Sequence, residues 1–190
     1  MMSVFVENEF FDKIDYSKAT LAKGEYDDCI FKNCLFLNAD VSKITFTDCE
    51  FVNCNFSNTY FKNSSFRSVI FKNCKLLGLQ FNDCNPFLLS LGFEECHLNI
   101  VSFYKLKLKN TKFNKCKLQE VDFSETDLSN ALFNSCDLIG SIFKASMLEK
   151  ADFRTSYNYS IDPEMNRMRK AKFSLQGLPG LLGKYQIEVE

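Results

Sequence analysis

Large apolar side chains recur along this chain at every fifth position. From Tyr16 the count runs through Leu21, Tyr26, Phe31, Phe36, Val41, Phe46, Phe51, Phe56, Phe61, Phe66, Phe71, Leu76 and Phe81 with no polar interruption. The phase slips by two residues across Asn82–Gly92 and resumes at Phe93, after which Phe and Leu alternate to Phe153. Two positions before each of these stands Ala, Gly, Cys, Ser, Thr or Val in 22 of 27 repeats, the exceptions being Ile14, Ile44, Leu79, Leu91 and Leu106. A helix repeats its apolar positions every 3.6 residues and a strand every 2, so neither produces this pattern.

One large and one small inward residue in every five describe a chain that turns a corner once per repeat. Four corners close a coil of about 20 residues, and coils stack at the inter-strand spacing of about 4.8 Å. The expected fold is all-β, a right-handed quadrilateral β-helix of about seven coils with a short C-terminal helix and strand as its cap. Like residues then stack in columns: Phe93, Phe113, Phe133 and Phe153 on one wall, Phe103, Phe123 and Phe143 opposite, with Leu98, Leu118, Leu138 and Leu108, Leu128, Leu148 on the other two. Asn33, Asn38, Asn53, Asn58, Asn63 and Asn73 all fall two residues after a central residue, a corner that suits their turn propensity.

The pattern divides the chain into an N-terminal cap (1–13), a solenoid (14–155) interrupted near 82–92, and a C-terminal capping and dimerisation module (156–190). Asp162-Pro163 predicts a helix start running to about Lys172, with Met165 and Met168 packed on the last coil. Tyr185, Ile187 and Val189 alternate with Gln186, Glu188 and Glu190, which predicts a short strand. Leu181, Leu182, Tyr185, Ile187 and Val189 are the expected homodimer contact. Within the break, Pro86 has no N–H for the ladder, so Asn85-Pro86-Phe87 should bulge as a loop.

Composition adds 21 Phe, no Trp, nine Cys and a single His at a net charge of −1. So many cysteines in a secreted chain would mean disulfides. The first eleven residues carry Glu7 and Glu9 and no basic-then-apolar leader. No apolar run reaches the roughly 18 residues of a membrane span. A cytoplasmic chain with reduced thiols and no membrane association is expected. Every cysteine but Cys84 sits two before a central residue, and Cys84 keeps that phase into the break. Such a ladder is linear, whereas structural zinc wants a tetrahedron, so the thiols read as buried fillers and no metal is expected. His97 falls on an outward position, with no nucleophile, phosphate loop or metal motif around it. No catalytic residue and no cofactor are expected.

Charge is banded: net −5 over residues 1–60, +7 over 61–119, −5 over 120–162 and +2 over 163–190. Glu120, Asp122, Glu125 and Asp127 follow the lysine-rich band by one coil, and with Asn85, Pro86 and Phe87 they form the expected surface for a protein partner. Duplex DNA carries one charge per about 1.7 Å of its axis, and a rod with a basic middle departs from such a profile. The lysines lack regularly interleaved aromatics, so direct nucleic-acid binding is not expected.

Ala151–Thr155 (ADFRT) and Thr126–Asn130 (TDLSN) resemble the repeat unit of the pentapeptide-repeat family, over about residues 14–155. That resemblance implies the fold and little about function. The mid-solenoid break, the run Asp162–Arg167 (DPEMNR) and the length resemble more narrowly the microcin-immunity and quinolone-resistance branch. That branch implies a dimeric rod that binds DNA gyrase and relieves its poisoning. A scaffolding solenoid whose partner is unrelated to DNA topology is the alternative.

Overall fold

A three-residue strand whose middle side chain points inward presents its two neighbours to solvent, and here two walls are built from such strands. The computed structural model describes residues 3–188. Its strands are β1 (Val4–Glu7), β2 (Phe10–Asp12), β3 (Gly24–Asp27), β4 (Ile30–Lys32), β5 (Thr45–Thr47), β6 (Glu50–Val52), β7 (Ser65–Arg67), β8 (Val69–Lys72), β9 (Leu91–Glu94), β10 (Lys112–Asn114) and β11 (Leu132–Asn134). All pair in parallel. One sheet runs β2-β4-β6-β8-β9-β10-β11 and the other β1-β3-β5-β7. The remaining walls pair through single bridges, such as the line Asp15, Leu35, Asn55, Lys75, His97, Lys117, Asp137 and Tyr157. The result is a four-sided parallel β-solenoid of about seven coils, as the five-residue period predicts.

The columns form as expected and reach further than the count. Phe11, Phe31, Phe51, Phe71, Phe93, Phe113, Phe133, Phe153 and Phe173 stack on one wall, with neighbouring ring centroids 4.5–5.6 Å apart. Rings on opposite walls meet edge to face across the core, as Phe113 and Phe123 do at 83°. Both arrangements suit the aromatic quadrupole. Fully burying each such ring stabilises the coil by roughly 1.5–3 kcal/mol.

The small inward residues do more than fill space. Thr59, Thr126, Ser146 and Ser156 donate from their hydroxyls to the carbonyls of Phe36, Phe103, Phe123 and Phe133, each one coil earlier, at 2.6–2.8 Å. Cys49, Cys54, Cys74 and Cys136 make the same bond with their thiols, at 3.3–3.4 Å. Where the position holds Cys, Ser or Thr it therefore offers a donor as well as a small volume, and the three exchange at it. All nine cysteines are free and buried. Burial pushes the Cys49 thiol up to about 12, and it likewise raises Cys74 and Cys84.

Corners are made by a left-handed residue two after the central one. Asn33, Asn38, Asn53, Asn58, Asn63 and Asn73 have φ of 54–60°, a region Asn enters more readily than most residues.

Both ends of the coil differ from expectation. Coil pairing begins at Val4, opposite Gly24, inside the stretch expected to be a separate cap. It continues past residue 155, through Met147 with Arg167 and Asp152 with Lys172. The helix expected from Asp162 to Lys172 does not form. Asp162 instead closes a tight turn, its carboxylate accepting from Glu164 N at 2.8 Å. Met168 packs against the core while Met165 is exposed. The helix lies later, as α1 (Pro179–Leu182), flanked by 3-10 turns at Leu175–Gly177 and Gly183–Tyr185. Nor do Tyr185 and Ile187 form a strand: Gln186 turns left-handed between them at φ 51°. Val189 lies outside the described residues. No helix among those described is long and apolar enough to cross a membrane.

Candidate functional site

The register is the first guide to where this rod departs from pure repetition. Phe51 pairs with Phe71, one regular coil on, but Phe71 pairs with Phe93, across a coil that is longer by two positions. The extra length is absorbed on one wall only. The sheet β1-β3-β5-β7 ends there, and residues 85–90 cross the wall as a loop. The loop is tied at both ends, Asn85 N donating to Ser64 O at 2.8 Å and Ser90 N to Phe66 O at 3.0 Å. Asn85 also accepts from Phe87 N and donates to Ser65 Oγ. Leu89 packs against the core. Pro86 therefore begins a short anchored turn rather than a long bulge. Its tip presents Phe87 at 63% and Leu88 at 61% exposure, with Leu88 left-handed at φ 57°. Leu88 is not among the residues the sequence singles out, because it falls inside the phase slip, where the five-residue count assigns no direction.

Beside the loop, Gly92 opens a notch of about 310 Å³ on the seven-stranded sheet, walled by Ile70, Lys112 and Leu132. Three exposed apolar groups thus border one coil: Ile70, Phe87 and Leu88.

The four expected acidic residues are not one patch. Glu125 is held by Lys105 at 3.5 Å and accepts from Tyr104 Oη at 3.0 Å. Asp127 is buried, capped by Ser129 and paired with Lys109 at 3.2 Å. Burial pushes its carboxyl up, but the Ser129 and Lys109 bonds win and hold it below the usual range. Asp122 accepts from Ser124 N in a turn. Glu120 stands exposed at a left-handed corner. Three of the four are engaged with residues of this chain itself, so the acidic band is partly neutralised by the lysine band below it.

At the C-terminus the run Asp162–Arg167 has a structural role. Asn166 Nδ2 donates to Phe143 O at 2.9 Å, continuing the inward donor ladder, and its Oδ1 accepts from Ser146 N. Lys184 bridges Asp162 and Glu164 at 2.7 and 2.6 Å, which holds both carboxyls below their usual range. The cap docks on Tyr159 through Gly177 and Gly180, where a Cβ would strike the tyrosine. Of the expected dimer residues, Leu181 packs inward and Leu182 is half-buried, while Tyr185 and Ile187 are exposed. Leu175 and Leu178 join them on the outside. No three His, Cys, Asp or Glu side chains converge as a metal site among the described residues.

A family model described as a pentapeptide repeat region matches residues 25–86 and 88–158, meeting the break at its loop. No curated protein matches the chain. Among solved structures, a trypsin-treated form of QnrB1, a plasmid-mediated fluoroquinolone resistance protein, is 20% identical over the whole of both chains, with a TM-score of 0.48. Full-length QnrB1 is 15% identical over 97% of this chain and all of its own, at 0.43. HetL, involved in heterocyst differentiation regulation in Nostoc sp. strain PCC 7120, is 13% identical over 92% of this chain and 86% of its own, at 0.41.

Proposed function

The chain belongs to the pentapeptide-repeat family, and from that premise we propose that it is a non-catalytic protein-binding rod protecting a type II topoisomerase, DNA gyrase, from a toxin or drug. The observation that carries the protein-binding part is the loop tip. Other apolar side chains, Phe5 and Tyr60 among them, are equally exposed, but Phe87 and Leu88 stand side by side on a turn tied at both ends and beside an apolar notch. Rigid apolar anchors of this kind lose little freedom on docking. The gyrase part is supported by the mid-solenoid break and the Asp162–Arg167 run, the features that resemble the microcin-immunity and quinolone-resistance branch. The cap, with Leu175, Leu178, Tyr185 and Ile187 outward, is the proposed homodimer contact.

The test is a supercoiling assay with gyrase, a quinolone or a peptide toxin, and the purified rod. Protection that is lost with Phe87→Ser/Leu88→Ser supports the reading. No protection and no retention of gyrase by the immobilised rod overturns the topoisomerase part and leaves a scaffold with a partner unrelated to DNA topology.

A further inference from the structure

One line of bridges carries a histidine between two lysines on successive coils. Lys75 pairs with His97 and His97 with Lys117, so the three side chains leave the same wall on successive coils, about 4.8 Å apart. Lys75 and Lys117 are exposed and His97 is half-buried between them. Among the described residues neither lysine makes a salt bridge, whereas the nearby Lys105, Lys109 and Lys115 are engaged by Glu125, Asp127 and Glu95. Further along the line Asp137 ends the cationic stretch, and it is occupied by Gln119 and Asn158.

A second, independent feature lies at the same place. Ile100, three residues after His97, is left-handed at φ 59° and 63% exposed. It is the one β-branched residue in that conformation among those described, at a corner elsewhere given mostly to Asn, Lys, Glu, Asp, Ser or Gly. The coil imposes this left-handed corner on most of its repeats, but branching at Cβ makes it costly for Ile100, and costly conformations cluster at functional positions. Leu77 is exposed on the coil before it.

We propose that this wall is a docking surface for a short acidic protein segment carrying an apolar side chain, its carboxylates meeting Lys75, His97 and Lys117 and its apolar group meeting Ile100 and Leu77. The inference rests on the protein-binding reading above and names the partner's chemistry at a second surface. Two lysines flanking a histidine over roughly 10 Å, closed by an aspartate, suit a few carboxylates rather than the extended phosphate track of a nucleic acid. The charged neighbours of His97 are Lys75 and Lys117 on either side and, beyond them, Asp137 and the Lys115-paired Glu95. Burial first, then the two lysines, lower the imidazole's proton affinity. An acidic ligand reverses the charge environment, so binding draws a proton onto His97 and tightens as pH falls through its bound-state midpoint.

The experiment follows the His97 imidazole by NMR across pH, with and without the peptide EELEE, at low salt. The expected result is a midpoint raised by the peptide, and affinity lowered at least tenfold in Lys75→Ala/Lys117→Ala. Ile100→Asn should weaken peptide binding while raising the urea midpoint, a combination that a purely structural isoleucine would not give. An unmoved His97 midpoint at millimolar peptide overturns the proposal. So does a short DNA duplex that binds more tightly than the peptide, or chain self-association that accounts for the shift. Gyrase protection is scored separately on the same proteins, so loss of that reading leaves the peptide result to stand or fall alone.

Discussion

The Thr126 hydroxyl donates 2.8 Å to the backbone carbonyl of Phe103, one coil earlier. An inward hydroxyl or thiol that makes this bond joins two coils as well as filling a slot. Thr126→Val keeps the shape and removes the donor, so it should cost about 0.5–1.5 kcal/mol, while Thr126→Ser retains the bond. Urea midpoints of the two variants, compared with the parent, check this.

Phe123 is fully buried and stacks on Phe103 and Phe143 at 5.4 and 5.1 Å. Phe123→Ala leaves a cavity in a column that cannot collapse without moving both neighbours. A loss of about 3–5 kcal/mol is expected, a large part of a domain's total stability. Phe87→Ser, at the loop tip, should stay within about 0.5 kcal/mol of the parent. Chemical denaturation of the pair separates core from surface directly.

The nine buried thiols should resist labelling. A thiol-reactive dye should modify almost none in buffer and all after denaturation, because the thiolate is the reactive form and burial raises groups such as Cys49. Rapid labelling of several in native buffer would contradict the inward ladder.

Gly180 lies against the Tyr159 carbonyl and ring, with no room for a Cβ. Gly180→Ala should lift the cap from the last coil, break the Ile161 N to Gly180 O bond, and speed tryptic cleavage at Lys184 while the solenoid survives. Sedimentation of the parent and of this variant tests the proposed homodimer contact: a parent that sediments as a monomer overturns it.

Acid should loosen the cap first. Lys184 lowers the folded-state values of Asp162 and Glu164 below their ordinary 3.8 and 4.5. The ion pairs therefore stabilise the docked cap fully above those ordinary values and fade as pH falls through the lowered ones. Cleavage near Lys184 by an acid-active protease should rise below about pH 4 before the core unfolds, and Lys184→Met should remove that pH dependence.

The columns were legible because one side chain in five must point inward whatever the wall, so Phe31, Phe113 and Phe153 announce themselves by spacing alone. The C-terminal coil was not. After Phe153 the central positions are Asn158 and Pro163, neither of which fills a core, and burial passes to Tyr159 and Ile161. Met168 and Phe173 return to phase only after that gap. Asp162-Pro163 looks like a helix start because a cap and an Asx turn use the same carboxylate. Residues further along decide which one forms, and here Asn166 is claimed by the donor ladder. On the candidate surface, the acidic run was visible but its pairing was not, since Lys105 and Lys109 lie about a full coil from their partners along the chain. Leu88 falls inside the phase slip, where spacing assigns no direction, and Ile100 looks like an ordinary corner position until the backbone shows its left-handed turn.

Because only one wall gives way at the break while the Phe column runs through it unbroken, the molecule works as a ruler. Four coils separate the loop from the Arg167 level, a distance of roughly 19 Å set by inter-strand spacing. Whatever grips both places is measured by a whole number of turns, and a duplicated coil would lengthen the gauge by one graduation while leaving each end as it was.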